Sequence, residues 1–393
     1  MILVLELEVI HLWKRVIEIT KKNQEVINNT EIDVDIIWLQ KANERYENFG
    51  NAVDIDSHNN VIAVRNSFDG KTYNSKIVKY DEKGSLIWHK TYDSKKHDMA
   101  YDVSVDSNDN IIVVGFEGEW IHDPIPNAHA YVLKYDKNGA LLWSKSFKKG
   151  ICTMGFGVTN DSEGNIYFIS TFFSPGEPNL GCWVIKCDKK GNQIWDRTFH
   201  EHYMDIPHGI TVDSDGNIII VGYAYTPYKR PYKPRGPWTA GFLSLKYNKN
   251  GNLLWEKRYE ALEPADAFDV AVDSHDNIII VGQNSGNPII IKTNQNGRIL
   301  WKKRYKTKTN NMPYGVDVNS KDDIIIGNTS YSSKKPKNLI ITYDKNGEIK
   351  SIKKSKINRT IFDITIDHQD SIISVGATIG TKDDFYLLKE KPE

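Results

Sequence analysis

Short apolar runs separated by polar turns recur along the chain with a period of about 50 residues. A clear copy extends from Tyr101 to Trp143 and contains four strand-like runs, at residues 101–105, 111–116, 130–135 and 140–147. The residue that opens the first turn of each copy is Asp56, Asp106, Asp161, Asp213, Asp273, Asn319 or Asp367. Repeats of this length, each built from four short strands, are typical of β-propeller blades.

Polar turns of two kinds separate the strands within a repeat. The first has the pattern Asp-Ser-Xaa-Asp/Gly-Asn, as at Asp106 to Asn110, where Asp and Asn bond nearby amides and tolerate left-handed backbone. The second is Asp-Lys-Asn-Gly, as at Asp136 to Gly139, whose glycine supplies the positive φ of a bulged hairpin. Because the runs are apolar on both faces, both faces need cover, and radially packed blades provide it.

A tryptophan near the start of the fourth run is interpreted as a wedge between adjacent blades. The sixth copy has Ser351 in this position. The seventh copy ends after its third run, near Lys389, whereas the segment around Trp38 resembles a fourth run that precedes the first repeat. We therefore predict an all-β, seven-bladed β-propeller of four-stranded antiparallel blades over residues 34–393, with the ring closed by an N-terminal outer strand. Residues 1–33 are predicted to form an N-terminal extension, either a helix or an arm.

The combined pattern resembles a known type of repeat. Asp-Xaa-Xaa-Xaa-Asn-Ile-Ile-Val-Val-Gly at 106–115, followed by Lys-Tyr-Asp-Xaa-Xaa-Gly-Xaa-Xaa-Xaa-Trp at 134–143, resembles the seven-bladed β-propeller repeats of bacteria and archaea labelled SBBP. The resemblance covers about residues 34–393 and implies a binding or surface scaffold without an assigned reaction. A weaker resemblance links Gly139 to Trp143 with quinoprotein-like propeller repeats. The threonine and the vicinal cysteine pair of those enzymes are absent, so no cofactor is predicted.

Charge and cysteine content exclude several functional classes. Lys+Arg and Asp+Glu balance at 51 each, so no overall field favours nucleic acid or an anionic membrane. The three cysteines form neither a disulfide framework nor a zinc ribbon, and no run is long enough for a membrane helix. Glu6 and Glu8 interrupt the apolar N-terminus where a signal peptide needs an unbroken core. We therefore predict a cytoplasmic protein by default, and a secreted one if the start is misassigned.

The loops between the second and third runs vary in length, and variable loops on a rigid ring are where binding sites are built. In the long loop of the fourth repeat, aromatic rings alternate with four cations, which suits stacking on sugars or bases and contact with anionic groups. The open interpretations are a proline-stiffened insertion over the ring, a glycan or anionic-polymer site, and a nucleic-acid site. The candidate ligand-binding residues are Tyr225, Tyr228, Arg230, Tyr232, Arg235, Trp238 and, from the second repeat, His122.

Two further groups of residues are candidates for a site. Imidazoles and a carboxylate before the fourth repeat are suited to a divalent metal ion, although histidine-rich loops also occur without metal. These candidate ligands are His200, His202, Asp205 and His208. In addition, the first position of each inner run is mostly aromatic, which indicates either packing of the inner barrel or a ligand at the mouth of a central channel. These positions are Asn51, Tyr101, Phe156, His208, Phe268, Tyr314 and Phe362.

No nucleophile motif, phosphate loop or dinucleotide fingerprint is found in the chain. We therefore predict a monomeric, non-catalytic recognition or scaffold propeller that binds a protein or a carbohydrate polymer on its loop-rich face. Nucleic acid is not predicted as a partner. The alternative is a hydrolase or lyase whose histidines and carboxylates, with or without a metal ion, lie over the central channel at blades two to four.

Overall fold

A computed structural model describes residues 36–42, 48–119, 127–173, 180–226, 239–259, 265–305, 310–331, 337–354, 359–378 and 384–391. These residues form 28 β-strands, and none of them is helical. The part of the chain described in this way contains no helix long and apolar enough to cross a membrane. The extension predicted for residues 1–33 lies outside the described residues.

The strands pair in sequence order into four-stranded antiparallel units, which we number along the chain. The chain begins with β1 (Ile36–Lys41), which pairs with the last unit. Unit one contains β2 (Asn48–Ile55), β3 (Val61–Phe68), β4 (Tyr73–Tyr80) and β5 (Leu86–Tyr92). Unit two contains β6 (His97–Val105), β7 (Ile111–Glu119), β8 (Asn127–Tyr135) and β9 (Leu141–Phe147). Unit three contains β10 (Cys152–Asn160), β11 (Ile166–Phe173), β12 (Leu180–Cys187) and β13 (Gln193–Phe199).

The remaining units follow the same order. Unit four contains β14 (Met204–Val212), β15 (Ile218–Thr226), β16 (Thr239–Tyr247) and β17 (Leu253–Tyr259). Unit five contains β18 (Ala265–Val272), β19 (Ile278–Asn284), β20 (Asn287–Thr293) and β21 (Ile299–Arg304). Unit six contains β22 (Asn310–Val318), β23 (Ile324–Tyr331), β24 (Lys337–Tyr343) and β25 (Ile349–Lys354). Unit seven contains β26 (Arg359–Ile366), β27 (Ile372–Thr378) and β28 (Asp384–Glu390), to which β1 is added.

The units pack side by side around a centre. Their first strands contact one another in the order β2, β6, β10, β14, β18, β22 and β26, and β26 in turn contacts β2. Units three and four are joined into one eight-stranded sheet by a single parallel bridge between Leu180 and Met204, so the units form six sheets. Clusters of buried aliphatic and aromatic side chains fill the space between successive units, as expected for runs that are apolar on both faces.

The outer strand of unit seven comes from the N-terminal part of the chain. β1 pairs antiparallel with β28, with Trp38 opposite Lys389 and Leu39 opposite Leu388. The backbone N–H of Ala42 donates to Phe385 O at 3.3 Å. As predicted, a strand from the N-terminal part of the chain thus completes the sheet formed by the last three strands.

Buried ion pairs hold the first turn of most units. In unit two, the carboxylate of Asp106 accepts the backbone N–H groups of Asn108 and Asn110, and Lys134 Nζ lies 2.7 Å from Asp106 Oδ2. Burial alone would raise the pKa of Asp106, but the hydrogen bonds from Lys134 and Asn110 outweigh it and lower the pKa. Corresponding pairs at 2.6 to 2.8 Å are Asp56–Lys79, Asp213–Lys246, Asp273–Lys292 and Asp367–Lys389.

Tryptophan on the outer strands joins one unit to the next, as the sequence pattern predicts. Trp88 Nε1 donates to Lys137 O at 3.2 Å, and its ring lies against Gly139. The Trp88 ring and the Lys90 side chain leave no room for a Cβ at Gly139, whose φ of +81° also favours glycine. The same bond to the following turn is made by Trp38, Trp143, Trp195, Trp255 and Trp301. In unit six Ser351 occupies the equivalent position on β25, and the indole contact to the next unit is missing there.

The observed strands are longer than the apolar runs from which we predicted them. In unit two β6 begins at His97 rather than at residue 101, and β7 extends to Glu119 rather than 116. The additional residues continue the ladder with polar or small side chains, as in the pairing of Asp98 with Glu117. Backbone pairing does not require apolar side chains, so hydrophobicity alone underestimates strand length.

Candidate functional site

A β-bulge interrupts the first strand of every unit at the same position. In unit two the register shifts between Ala100 and Asp102, so Tyr101 is the extra residue. A bulge of this kind redirects its side chain, which explains why these residues line the centre of the ring. The bulged residues are those at the seven predicted inner positions: Asn51, Tyr101, Phe156, His208, Phe268, Tyr314 and Phe362. Sequence analysis placed them at the start of each strand, whereas they lie within it.

Six of these seven side chains are aromatic and contact one another in sequence, and we call them the aromatic collar. The ring centroids of Tyr101 and Phe156 are 5.1 Å apart, and those of Phe156 and His208 are 6.2 Å apart. The series continues through Phe268 and Tyr314 to Phe362 at spacings of 5.1 to 6.2 Å. Asn51 interrupts the collar and donates its side-chain amide to Ala100 O. All seven side chains remain partly exposed, and we call the space that they surround the channel.

Five aspartates beside the collar connect neighbouring units, and we call them the channel carboxylates. Asp102 Oδ2 accepts the N–H of Val158 in the next unit at 2.7 Å, while its Oδ1 accepts the N–H of Val103. Asp54, Asp269, Asp317 and Asp363 make the same pair of bonds. Units three and four lack such a carboxylate; Gly157 and Gly209 stand at the position of Asp102.

The channel carboxylates form an acidic lining with few cations nearby. The first strands of the seven units contain eight Asp or Glu residues and one Lys or Arg. Burial, with smaller contributions from other channel carboxylates, raises the pKa of Asp54, Asp102 and Asp269 to about 7, and burial raises that of Asp317 to about 6. The pKa of Asp363 is raised in the same way. Ionisation of these carboxyl groups therefore costs free energy, and binding of a proton or a cation reduces that cost.

The raised pKa values predict that acidification stabilises the protein. A carboxyl whose folded pKa lies above its unfolded value of 3.8 stabilises the fold at low pH, and this contribution is lost as pH rises through about 7. These groups are therefore expected to raise the melting temperature when the pH is lowered from 8 to about 5. Over this range Asp102→Asn should show a smaller rise in melting temperature than the parent. Equal gains would contradict a raised pKa at Asp102.

The predicted metal ligands do not form one group within the described structure. His202 Nδ1 lies 2.6 Å from Asp205 Oδ1, and the buried Asp205 also accepts the N–H groups of Glu201 and His202. His208 belongs to the aromatic collar, and its Nε2 lies 3.3 Å from Asp266 Oδ1. His200 contacts the ring of Phe172. The structure thus brings His202 and Asp205 together, and a metal site formed by all four residues remains a prediction.

Among the described residues, two other groups have three potential ligand atoms within 4.8 Å of one another. They are Asp56, His58 and Asp109, and Asp273, His275 and Asp322. Each lies where the first turns of adjacent units meet; for example, Ser57 Oγ donates to Asp109 Oδ2 at 3.0 Å. Asp56 already pairs with Lys79, and Asp273 pairs with Lys292, so these carboxylates serve the fold.

Of the predicted ligand-binding residues, the structure describes Tyr225. Its ring is parallel to that of Tyr223, with a centroid distance of 6.2 Å, and meets the ring of Tyr203 edge-on at 6.0 Å. This tyrosine cluster lies at the end of β15, immediately before the long loop of unit four. The other predicted residues, His122, Tyr228, Arg230, Tyr232, Arg235 and Trp238, lie outside the described residues.

The channel carboxylates and the buried Asp–Lys pairs were not predicted from the sequence. A signal for both is present in the sequence. Aspartate recurs two or four positions before the first turn in five of the seven repeats, and lysine recurs in the third strand, as at Lys79 and Lys134. Neither pattern indicates by itself that these side chains meet, because the partners come from different repeats or different strands.

Comparison with known proteins supports a propeller-like fold. No protein-family model matches the chain. A WD repeat-containing protein of Acanthamoeba polyphaga mimivirus is 31% identical over 140 residues, which cover 34% of this chain and 10% of that protein. The chain therefore spans about a tenth of the length of this curated relative.

Several solved structures share the fold at low sequence identity. An ulvan lyase, described as a new family of polysaccharide lyase, has a TM-score of 0.58 and 11% identity, with 90% of this chain and 96% of that chain covered. A puromycin hydrolase has a TM-score of 0.54 and 10% identity, with 85% and 54% covered. YCF48 bound to a D1 peptide has a TM-score of 0.52 and 8% identity, with 94% and 98% covered. At these identities the similarity concerns the propeller-like, all-β fold alone.

Proposed function

We propose that residues 34–393 form a closed, seven-bladed propeller of the SBBP type that acts as a non-catalytic recognition module. The seven units of four strands and the return of β26 to β2 support this number of blades. The module is a monomer that binds a protein segment or a carbohydrate polymer on the face carrying the variable loops.

The aromatic collar is the observation that carries this proposal. Six rings that remain partly exposed around one channel provide stacking surfaces that packing alone would bury. The acidic lining beside them favours a ligand with a cationic group, because aromatic faces and carboxylates both attract cations. A basic protein segment fits this combination better than an anionic polysaccharide. YCF48, in which the bound partner is a peptide, offers a precedent for peptide binding on this fold.

The predicted glycan site on the long loop of unit four is a separate part of the proposal. The tyrosine cluster around Tyr225 supports it, since three partly exposed aromatic rings lie directly before that loop or beside it in the same unit. The ulvan lyase, which has been solved with a bound -[GlcA(1-4)Rha3S]- polymer, offers a precedent for polysaccharide binding. A glycan that depends on Trp238 and not on the collar would identify this loop as the binding site.

If the aromatic collar binds the ligand, a variant that lacks one of its rings should bind more weakly. The parent protein is screened against arrays of lysine-, arginine- and trimethyllysine-containing peptides and against a glycan array. For a ligand found in this way, Phe156→Ala should weaken binding about five- to hundredfold, since a stacking aromatic is worth about 1–3 kcal/mol. Leu141→Ala, an exposed side chain on β9, is the matched control and should leave affinity unchanged. Peptide binding that survives Phe156→Ala and Phe268→Ala at full strength would exclude the collar as the site.

A hydrolase or lyase is the second candidate function. The observation that favours it is the proximity of His208 Nε2 to Asp266 Oδ1 at the collar, 3.3 Å apart without a hydrogen bond between them, because a nearby carboxylate stabilises the protonated imidazole that forms when histidine acts as a general base. Release of new reducing ends or amines from a bound polymer, abolished in His208→Gln, would establish this reaction.

A further inference from the structure

The outer strands carry exposed aliphatic side chains in an unusual number. Of the twelve large hydrophobic residues that are exposed in the described structure, eleven lie on the outer strands of the units. Most occur as adjacent pairs directly after the turn that leads into the outer strand. In unit five the pair is Ile299 and Leu300, which are 42% and 51% exposed. Repetition of such pairs around the rim points to a surface feature rather than to isolated exposed residues.

The same strands are strongly basic, although the chain as a whole is neutral. The seven outer strands contain twelve Lys or Arg residues and two Asp or Glu residues. The excess is largest on β21 and β25, which contain six of the cations and none of the acidic residues. The protein therefore has an acidic centre and a basic rim, and the rim is most basic in units five and six.

The outer strands are also open sheet edges. β21 is the last strand of the order β18-β19-β20-β21, so one of its rows of backbone N–H and C=O groups faces outward. Lysine on an edge strand prevents edge-to-edge aggregation, which explains part of the charge. Protection of the edge does not explain the aliphatic pairs, because exposed leucine and isoleucine on an edge promote association instead. The basic charge, the exposed aliphatic side chains and the open backbone groups together indicate that this edge binds a partner.

The chemistry of β21 distinguishes between possible partners. Lys302 and Arg304 lie on one side of β21, and Leu300 is the extra residue of a β-bulge, so it stands outside this alternation; all three side chains are exposed. A lipid surface would leave the outward backbone groups without hydrogen-bond partners, which is costly in hydrocarbon. A simple polyanion would make no use of the aliphatic pair. An extended peptide satisfies all three requirements, provided that it carries aliphatic and acidic side chains in alternation.

We propose that the edge of β21 docks an extended acidic and aliphatic segment of a partner protein, which adds to unit five as a fifth strand. Backbone hydrogen bonds hold the segment along the edge. Its carboxylates lie opposite Lys302 and Arg304 as cross-strand pairs, and an aliphatic side chain that alternates with them lies on the other face of the segment and contacts Leu300. This edge lies on the rim, so the interaction is independent of the channel and of any ligand bound there.

The test uses a fluorescein-labelled octapeptide of alternating valine and glutamate, titrated against the full chain and followed by fluorescence anisotropy. We expect saturable binding that weakens as sodium chloride is raised. The double variant Lys302→Glu/Arg304→Glu should weaken binding about tenfold or more, because like charges then oppose each other. Leu300→Ser should weaken it several-fold. Circular dichroism at the assay temperature checks that each variant is folded.

Unit two provides a matched control within the same chain. β9 has an exposed aliphatic pair, Leu141 and Leu142, but Ser144 and Ser146 where β21 has Lys302 and Arg304. Ser144→Lys/Ser146→Arg should create a second docking edge and raise the stoichiometry from one peptide to two. Backbone amides of β21 should exchange more slowly with deuterium when the peptide is bound, which distinguishes strand addition from charge attraction alone.

Three results would overturn the proposal. The first is an unchanged affinity in the charge-reversed variant. The second is an all-glutamate peptide that binds as tightly as the alternating one and is indifferent to Leu300→Ser, since a polyanion would then be the partner. The third is binding to vesicles of phosphatidylcholine and phosphatidylserine that depends on Lys302 and Arg304 while the peptide does not bind, since a lipid surface would then be the partner.

Discussion

Lys134→Met is expected to lower the free energy of unfolding by about 3–5 kcal/mol, because the substitution leaves the Asp106 carboxylate buried without its cation. Both side chains are almost fully enclosed, at 3% and 2% exposure, and the amides of Asn108 and Asn110 hold the carboxylate in place. Urea denaturation at pH 7 measures the loss. At pH 5 the loss should be smaller, since Asp106 then takes up a proton more readily.

Two further variants separate the ion pair from general damage to unit two. Lys137→Met removes an exposed lysine from the turn that follows and should change stability by less than about 0.5 kcal/mol. The double variant Asp106→Asn/Lys134→Met removes both charges and should recover a large part of the stability lost in Lys134→Met. If Lys134→Met and Lys137→Met unfold at the same urea concentration, the buried pair does not stabilise the fold.

Deletion of residues 1–42 is expected to produce the other large effect. The deletion removes β1, and with it the Trp38 ring that is buried against unit one and donates to Glu82 O at 2.9 Å. Loss of a buried tryptophan costs about 3–5 kcal/mol, and β28 would in addition become an open edge. We expect a clearly lower melting temperature and concentration-dependent aggregation, measured by differential scanning fluorimetry and light scattering.

A shorter deletion is the control for this experiment. Removal of residues 1–30 leaves β1 and its pairing with β28 intact, so its effect on melting should be small. A chain without residues 1–42 that melts like the full chain would show that ring closure by β1 contributes little to stability.

Local patterns in the sequence were sufficient to predict a propeller-like architecture. Turn residues such as those at Asp106 to Asn110 act through their own backbone, so their structure follows from the nearest neighbours in the chain. The tryptophan contacts were predictable because one residue type recurs at one position, and Trp88 meets the next turn in the way that a wedge requires. The role of β1 followed from counting strands, since the last repeat lacked an outer strand that the N-terminal part supplied.

The candidate site was only partly predictable. The seven inner positions were recognised, but the bulge that turns them into the channel depends on pairing with the second strand and has no separate sequence signal. The predicted metal ligands show that proximity in sequence and proximity in space are different. Neighbours in sequence, such as His202 and His208, have different partners in the structure, Asp205 and Asp266. Proximity along a strand does not bring side chains together when they point to different sides.

The sequence by itself determined the turns and the order in which the strands pair. Pairing between neighbouring strands depends on contacts within a few tens of residues, and the distant pairing of β1 with β28 followed from the strand that the last repeat lacks. Only the tertiary structure decided how the side chains are distributed between the centre and the rim. Asp102 and Asp269 influence each other in the channel although 167 positions separate them, because the ring brings every first strand to the centre. The same geometry places every outer strand at an open edge, including β21, which carries Lys302 and Arg304.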